Sequence, residues 1–126
     1  MIQTQTCLKV SDNSGAKTTR CIKIISGYKN RWAVLNSSIL VSIIKLKKKK
    51  TISSKVKKGQ ILKGIVIRTK SKTKKKNGNF IKFYENSVVL VSKDSKPIGT
   101  RVQGPVSKEL RYGKFMKLAS ISLGFF

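Results

Sequence analysis

The 126-residue chain sets 29 lysines and arginines against four acids, a net charge of +25, and contains no histidine. With 39% apolar residues a single domain spanning 1–126 can bury a core, but self-repulsion on that scale opposes compaction unless a polyanion neutralises it. The same composition speaks against a zinc site, with only Cys7 and Cys21 to supply soft ligands, and against acid–base catalysis, with only Asp12, Glu85, Asp94 and Glu109 at wide intervals.

From the start of the chain, Ile2, Thr4, Thr6, Leu8 and Val10 alternate with Gln3, Gln5, Cys7 and Lys9, a period of two that predicts a half-buried first strand. The stretch has no basic segment followed by an apolar one, so it reads as mature protein, and both cysteines are expected to be small buried residues in a reducing compartment. "DNSGAK" predicts the turn that ends this strand, its short polar side chains bonding back to the backbone and Gly15 taking a positive φ. Further strands are predicted at about Thr19–Ile25, Ile39–Leu46, Ile61–Thr69, Phe80–Phe83 and Val88–Ser92. Short strands parted by Gly, Asn, Ser and Lys clusters predict a mainly β fold, a small closed or nearly closed barrel, over about 1–96. After an extended loop marked by Pro97, Gly99, Gly104 and Pro105, "SKELRYGKFMKLAS" suits short helices over about 97–126. Ser107 is the expected N-cap, Leu110 should pack on the barrel, and Phe115, Met116 and Leu118 are expected core contacts.

The apolar run Ile61–Ile67 lies between two stretches dominated by lysine. A strand of about seven residues spans roughly 23 Å, so lysines beyond its ends fall in loops outside the barrel. Lys45, Lys47, Lys48, Lys49, Lys50, Lys55, Lys57 and Lys58 form one basic loop, and Lys70, Lys72, Lys74, Lys75 and Lys76 a second. Antiparallel neighbours would put these loops at opposite ends, unless a long hairpin ribbon brought both to one side. RNA, DNA and an anionic membrane are the polyanions to weigh. No apolar run approaches the roughly 20 residues of a spanning helix, so no membrane partner is expected. Nine aromatics are too few for base stacking to dominate, and binding should rest on phosphates. A DNA- or RNA-compacting architectural protein is the alternative, disfavoured by having only five arginines. A metal-dependent nuclease using Glu85 or Glu109 is weaker still, and "GKFMKL" lacks the features of a P-loop. No cofactor or metal is expected.

"MIQTQTCLKVSDNSGAK", "CIKII", "VKKGQILKGIVIRTK", "NGNFIKF", "NSVVLV", "PIGTRVQGPVSKELR" and "KFMKLASIS" occur in the order and spacing of the universal large-subunit ribosomal protein fourteen, and nearly the whole chain resembles that family. The resemblance implies a five-stranded β-barrel with a protruding hairpin ribbon and short C-terminal helices. It implies a structural role in translation, not catalysis, in a large-subunit ribonucleoprotein. The implied partners are large-subunit rRNA, small-subunit rRNA across intersubunit bridges, ribosomal proteins three and nineteen, and a ribosome-silencing factor. Residues implied to bind rRNA are Asn13, Ser14, Lys17, Arg68 and Thr69 together with the lysines of the two loops other than Lys45. Those implied at the subunit interface and silencing-factor surface are Gly99, Thr100, Arg101, Lys114 and Lys117. The chain departs from the family pattern at "VLNSSIL", where a Gly-Asp pair is usual, at "KLKKKKTISSK", and at the ending "SLGFF". Lysine outnumbers arginine 24 to 5, as an AT-rich genome would give, and an organelle-encoded protein of the mitochondrial matrix is preferred to one of the bacterial cytoplasm.

Overall fold

The computed structural model describes residues 1–47, 54–75 and 77–126. Strands β1 (Cys7–Val10), β2 (Ala16–Ile24), β3 (Ser38–Leu46), β4 (Ile61–Arg68) and β7 (Ser87–Val91) close a barrel in the order β1-β2-β3-β4-β7. All neighbours are antiparallel except the closing pair, in which β1 runs parallel to β7 with Lys9 opposite Ser87 and Val10 opposite Val88. Between β4 and β7 the chain makes a two-stranded ribbon of β5 (Thr73–Lys74) and β6 (Phe80–Ile81). A 3₁₀ turn (Lys108–Tyr112) and helix α1 (Met116–Ser120) follow the barrel.

The strand patterns follow from what covers each face. Strands β1 to β3 largely alternate, and their inward residues Leu8, Val10, Cys21, Ile39, Val41 and Ile43 fill the barrel. In β4 and β7 the apolar runs are continuous because both faces are buried. Val66, Val88 and Leu90 point into the barrel, whereas Ile65, Ile67, Val89 and Val91 point outward onto Val102, Val106, Leu110, Leu118 and Ala119. The chain after β7 is therefore a second layer that covers one wall. Bridges from Pro97 to Val91 and from Val102 to Asp12 pin it there, and the tail pairs back through Ser122 on Val102 and Phe125 on Val106. Ser107 caps the 3₁₀ turn, accepting from the Glu109 amide, and Leu110 is buried against the barrel wall as its sequence position implies.

Several expectations are corrected. The first strand is Cys7–Val10 and not Ile2–Val10: Gln5 takes a φ of +70° in a turn, and Ile2 exchanges backbone hydrogen bonds with Ala33 instead. Alternation survives across this turn because Ile2 and Leu8 are both buried, which hid the break. Cys7 is exposed, on the outer face of β1, while Cys21 is buried and burial raises its thiol pKa. Met116 is exposed at 64%, whereas Leu118 is buried and Phe115 packs beside it. The strand expected at Phe80–Phe83 contracts to Phe80–Ile81 and pairs outside the barrel. Within "VLNSSIL" the turn is made with Asn36 at φ +64°, a conformation asparagine accepts more readily than most residues.

Candidate nucleic-acid interface

The barrel has two poles. At the first lie the β1–β2 turn, the approaches to the β3–β4 loop, and the segment leaving β7. Asp12, fully buried, organises them: its carboxylate accepts from the Ser14 amide (2.9 Å), the Ser14 hydroxyl and the Leu90 amide (2.9 Å). Its carbonyl accepts from the Lys47 ammonium at 3.2 Å. Gly99 presses on the same residue, since a Cβ there would lie 2.8 Å from the Asp12 Cβ. Asn13 donates to the Thr100 hydroxyl at 2.9 Å, and the Lys55 ammonium donates to the Ile98 carbonyl at 3.2 Å. The turn, the basic loop and the Gly99–Thr100–Arg101 segment are thus one continuous surface. Lys17, Lys55, Lys57, Lys58, Thr100 and Arg101 are exposed on or beside it. The Val102 amide donates to the Ile121 carbonyl just past α1, and Lys114 and Lys117 share a cleft of about 460 Å³ with Asp94 and Lys96. The Thr100–Arg101 segment therefore adjoins the first lysine cluster, while Lys114 and Lys117 line a cleft of their own with Asp94 and Lys96.

The second pole carries the ribbon. Lys70, Lys72 and Lys74 are exposed and Lys75 half-buried along its first arm. The arm is tied down by the Lys70 amide on the Asn86 side chain (2.8 Å) and by the Phe83 amide on the Thr69 carbonyl (3.0 Å). β3 and β4 are antiparallel, so the two lysine clusters do lie at opposite poles, and a ribbon of two residue pairs is too short to reunite them.

At the base of the ribbon sits a latch. Glu85 accepts from Arg68 at 2.7 Å and from Lys9 at 2.8 Å, and the other Arg68 amino group donates to the Gln103 carbonyl. Burial raises the Glu85 pKa, but hydrogen bonds from Lys9 and Ser87 and the charges of Lys9 and Arg68 outweigh it and hold the carboxyl below its ordinary value. Burial lowers the Arg68 pKa, with Glu85 opposing. Gly104, at φ +81°, passes so close to the guanidinium that a Cβ would lie about 3.0 Å from it.

These placements divide the residues singled out in the sequence. Ser14, Arg68, Thr69 and Gly99 are buried, with Ser14 bonded to Asp12, Arg68 in the latch and the Thr69 hydroxyl bonded to the Ser71 carbonyl. Asn13 and Lys47 are half-buried and hydrogen-bonded within the first pole. Lys48, Lys49, Lys50 and Lys76 lie outside the described residues. Among the described residues the ion pairs are Lys9–Glu85 and Arg68–Glu85, so Lys55, Lys57, Lys58, Lys70, Lys72, Lys74 and Lys75 form none, although Glu109 shares a hollow with Lys75 and Asp94 a cleft with Lys114 and Lys117. No cluster of three acid or cysteine side chains able to hold a metal occurs among the described residues, and no helix there is long and apolar enough to cross a membrane. The arrangement can bind phosphates along two separate basic surfaces. The family model described as ribosomal protein L14p/L23e matches residues 1–125.

Proposed function

The chain belongs to the L14p/L23e family of ribosomal proteins, structural components of the large subunit, and on that premise we propose that it binds large-subunit rRNA with both poles of the barrel at once. The observation that carries this reading is the opposition of two lysine clusters that form no ion pair among the described residues, Lys55, Lys57 and Lys58 at one pole and Lys70, Lys72, Lys74 and Lys75 at the other. Such a body bridges two RNA segments and holds them a barrel's length apart. Buried Ser14, Arg68 and Thr69 act from within, Ser14 by fixing the turn and Arg68 and Thr69 by fixing the ribbon base, while the exposed lysines meet phosphates.

Thr100 and Arg101, next to the first cluster, together with Lys114 and Lys117, face the small subunit, contribute to a bridge with its rRNA, and offer the surface a silencing factor takes. Ribosomal proteins three and nineteen are the proposed neighbours. Residues 1–126 act as one domain without enzymatic activity, in a mitochondrial matrix ribosome in preference to a bacterial one. The test is the salt dependence of binding to large-subunit rRNA fragments, where each phosphate contact contributes a log–log slope of roughly −0.7 to −0.9. Neutralising Lys55, Lys57 and Lys58 together should flatten the slope by about three contacts' worth. A slope near zero in the parent protein removes the proposal.

A further inference from the structure

The loop between β2 and β3, residues 25–37, stands at the ribbon pole and belongs to neither lysine cluster. With the N-terminal segment it forms a cleft of about 640 Å³, lined among others by Gln3, Thr4, Lys23, Tyr28, Lys29 and Arg31, with no acidic residue in its wall. A volume of this order suits a small-molecule-sized group. The loop is held from within: the Ser26 amide and hydroxyl both donate to the Ser38 carbonyl (3.2 Å), and the Asn30 side chain donates to the Ser26 carbonyl (3.0 Å). Gly27, at φ +88°, is covered so closely by Asn30 that a Cβ would sit 2.1 Å from its amide nitrogen. This clamp sets Tyr28 outward, 87% exposed, with the Lys29 ammonium 5.4 Å from the ring centroid. An aromatic ring displayed this way contributes nothing to the core.

We propose that this cleft is a subsite for one unpaired nucleotide of RNA, with the base stacked on Tyr28, its edge within reach of Gln3 and Thr4, and its flanking phosphates on Lys23, Lys29 and Arg31. An exposed ring at the rim of a basic hollow matches an unstacked base, whereas a duplex keeps its bases stacked and offers phosphates alone. The lack of any acid in the wall favours this polyanion over a protein segment. The proposal deepens the RNA-binding reading and rests on it.

The experiment uses the full chain, fluorescence anisotropy at one fixed salt concentration, and two probes, a short single-stranded RNA and a short RNA duplex. Tyr28→Ala should weaken single-strand binding by about tenfold, as loss of one base–aromatic stack does, and leave duplex binding unchanged. Tyr28→Phe should bind the single strand like the parent, and an RNA carrying 5-iodouracil should photo-crosslink to Tyr28. Unchanged single-strand affinity in Tyr28→Ala, or equal weakening of both probes, overturns the subsite. A variant with Lys55→Gln, Lys57→Gln and Lys58→Gln separates the two readings. If that variant loses affinity while Tyr28→Ala does not, the subsite falls and phosphate binding stands. If neither loses affinity, both fall.

Discussion

Replacing Asp12 by asparagine changes one atom and should cost the protein much of its stability. The carboxylate spreads three hydrogen bonds over two oxygens, two to Ser14 on one and one to the Leu90 amide on the other. An asparagine side chain has a single acceptor. With its oxygen toward Ser14, its NH₂ faces the Leu90 amide, donor against donor; reversed, it faces the Ser14 amide. One charge-assisted hydrogen bond is lost, about 1.5–3 kcal/mol, and a buried amide is left without a partner. For a chain of this size that loss should lower the melting temperature by roughly 6–12 °C. Asp12→Ala should cost more, because both amides lose their acceptor. Urea and thermal denaturation in moderate salt read the loss, and hydrogen exchange at Leu90 locates it. A Tm within about 2 °C of the parent, with Leu90 still protected, would refute this account of the turn.

Glu85 is held in its charged form by the folded state, so its contribution is present above the ordinary carboxyl value of 4.5 and is lost as pH falls through the lower folded value. Glu85→Gln should therefore destabilise the protein at neutral pH and flatten its stability profile in acid; parallel acid unfolding curves would contradict the latch. A Cβ on Gly64 would lie 2.6 Å from a Val88 methyl inside the barrel, so Gly64→Ala should cost about 1–3 kcal/mol. Adding Val88→Ala should relieve part of that strain, and strict additivity in a double-mutant cycle would count against the clash. Arg101→Ala should leave the protein assembled in large subunits but weaken their joining to small subunits, read by sucrose-gradient sedimentation and blotting. A variant neutralised at Lys55, Lys57, Lys58 and Lys70 should fail earlier, at incorporation; the opposite pattern would reverse the assignment of the two surfaces.

The barrel was legible because its strands announce themselves in two ways. Alternation marks β1 to β3, and the unbroken runs in β4 and β7 mark strands covered on both sides. The turn at Gln5 was not legible, because a bend that returns the next residue to the same core leaves the alternation intact. Strand β5 was hidden for another reason: Thr73–Lys74 sits in a lysine-rich run and is fixed by its partner across the ribbon, not by its own side chains. For the site, residue type located the lysines but not the burial of Arg68 and Ser14. Arg68 is drawn inward by Glu85 and Gln103, partners 17 and 35 residues away that no local pattern connects.

Closure of the barrel by β1 against β7 has a kinetic consequence. Val10 pairs with Val88, so the seam cannot form until nearly eighty further residues have been made. At about 5–20 residues per second, synthesis leaves β1 without its second neighbour for several seconds. During that interval β1 and β2 can pair as a hairpin and β3 can add to them, but the sheet stays open along one edge, and its apolar face meets water. By the time Val88 is added, every lysine of the first cluster has already been made. Contacts of such long sequence separation also slow folding itself. The nascent chain is consequently a polycation before it is a barrel, and it gains from meeting its RNA, or a holding chaperone, while the last strand is still being added.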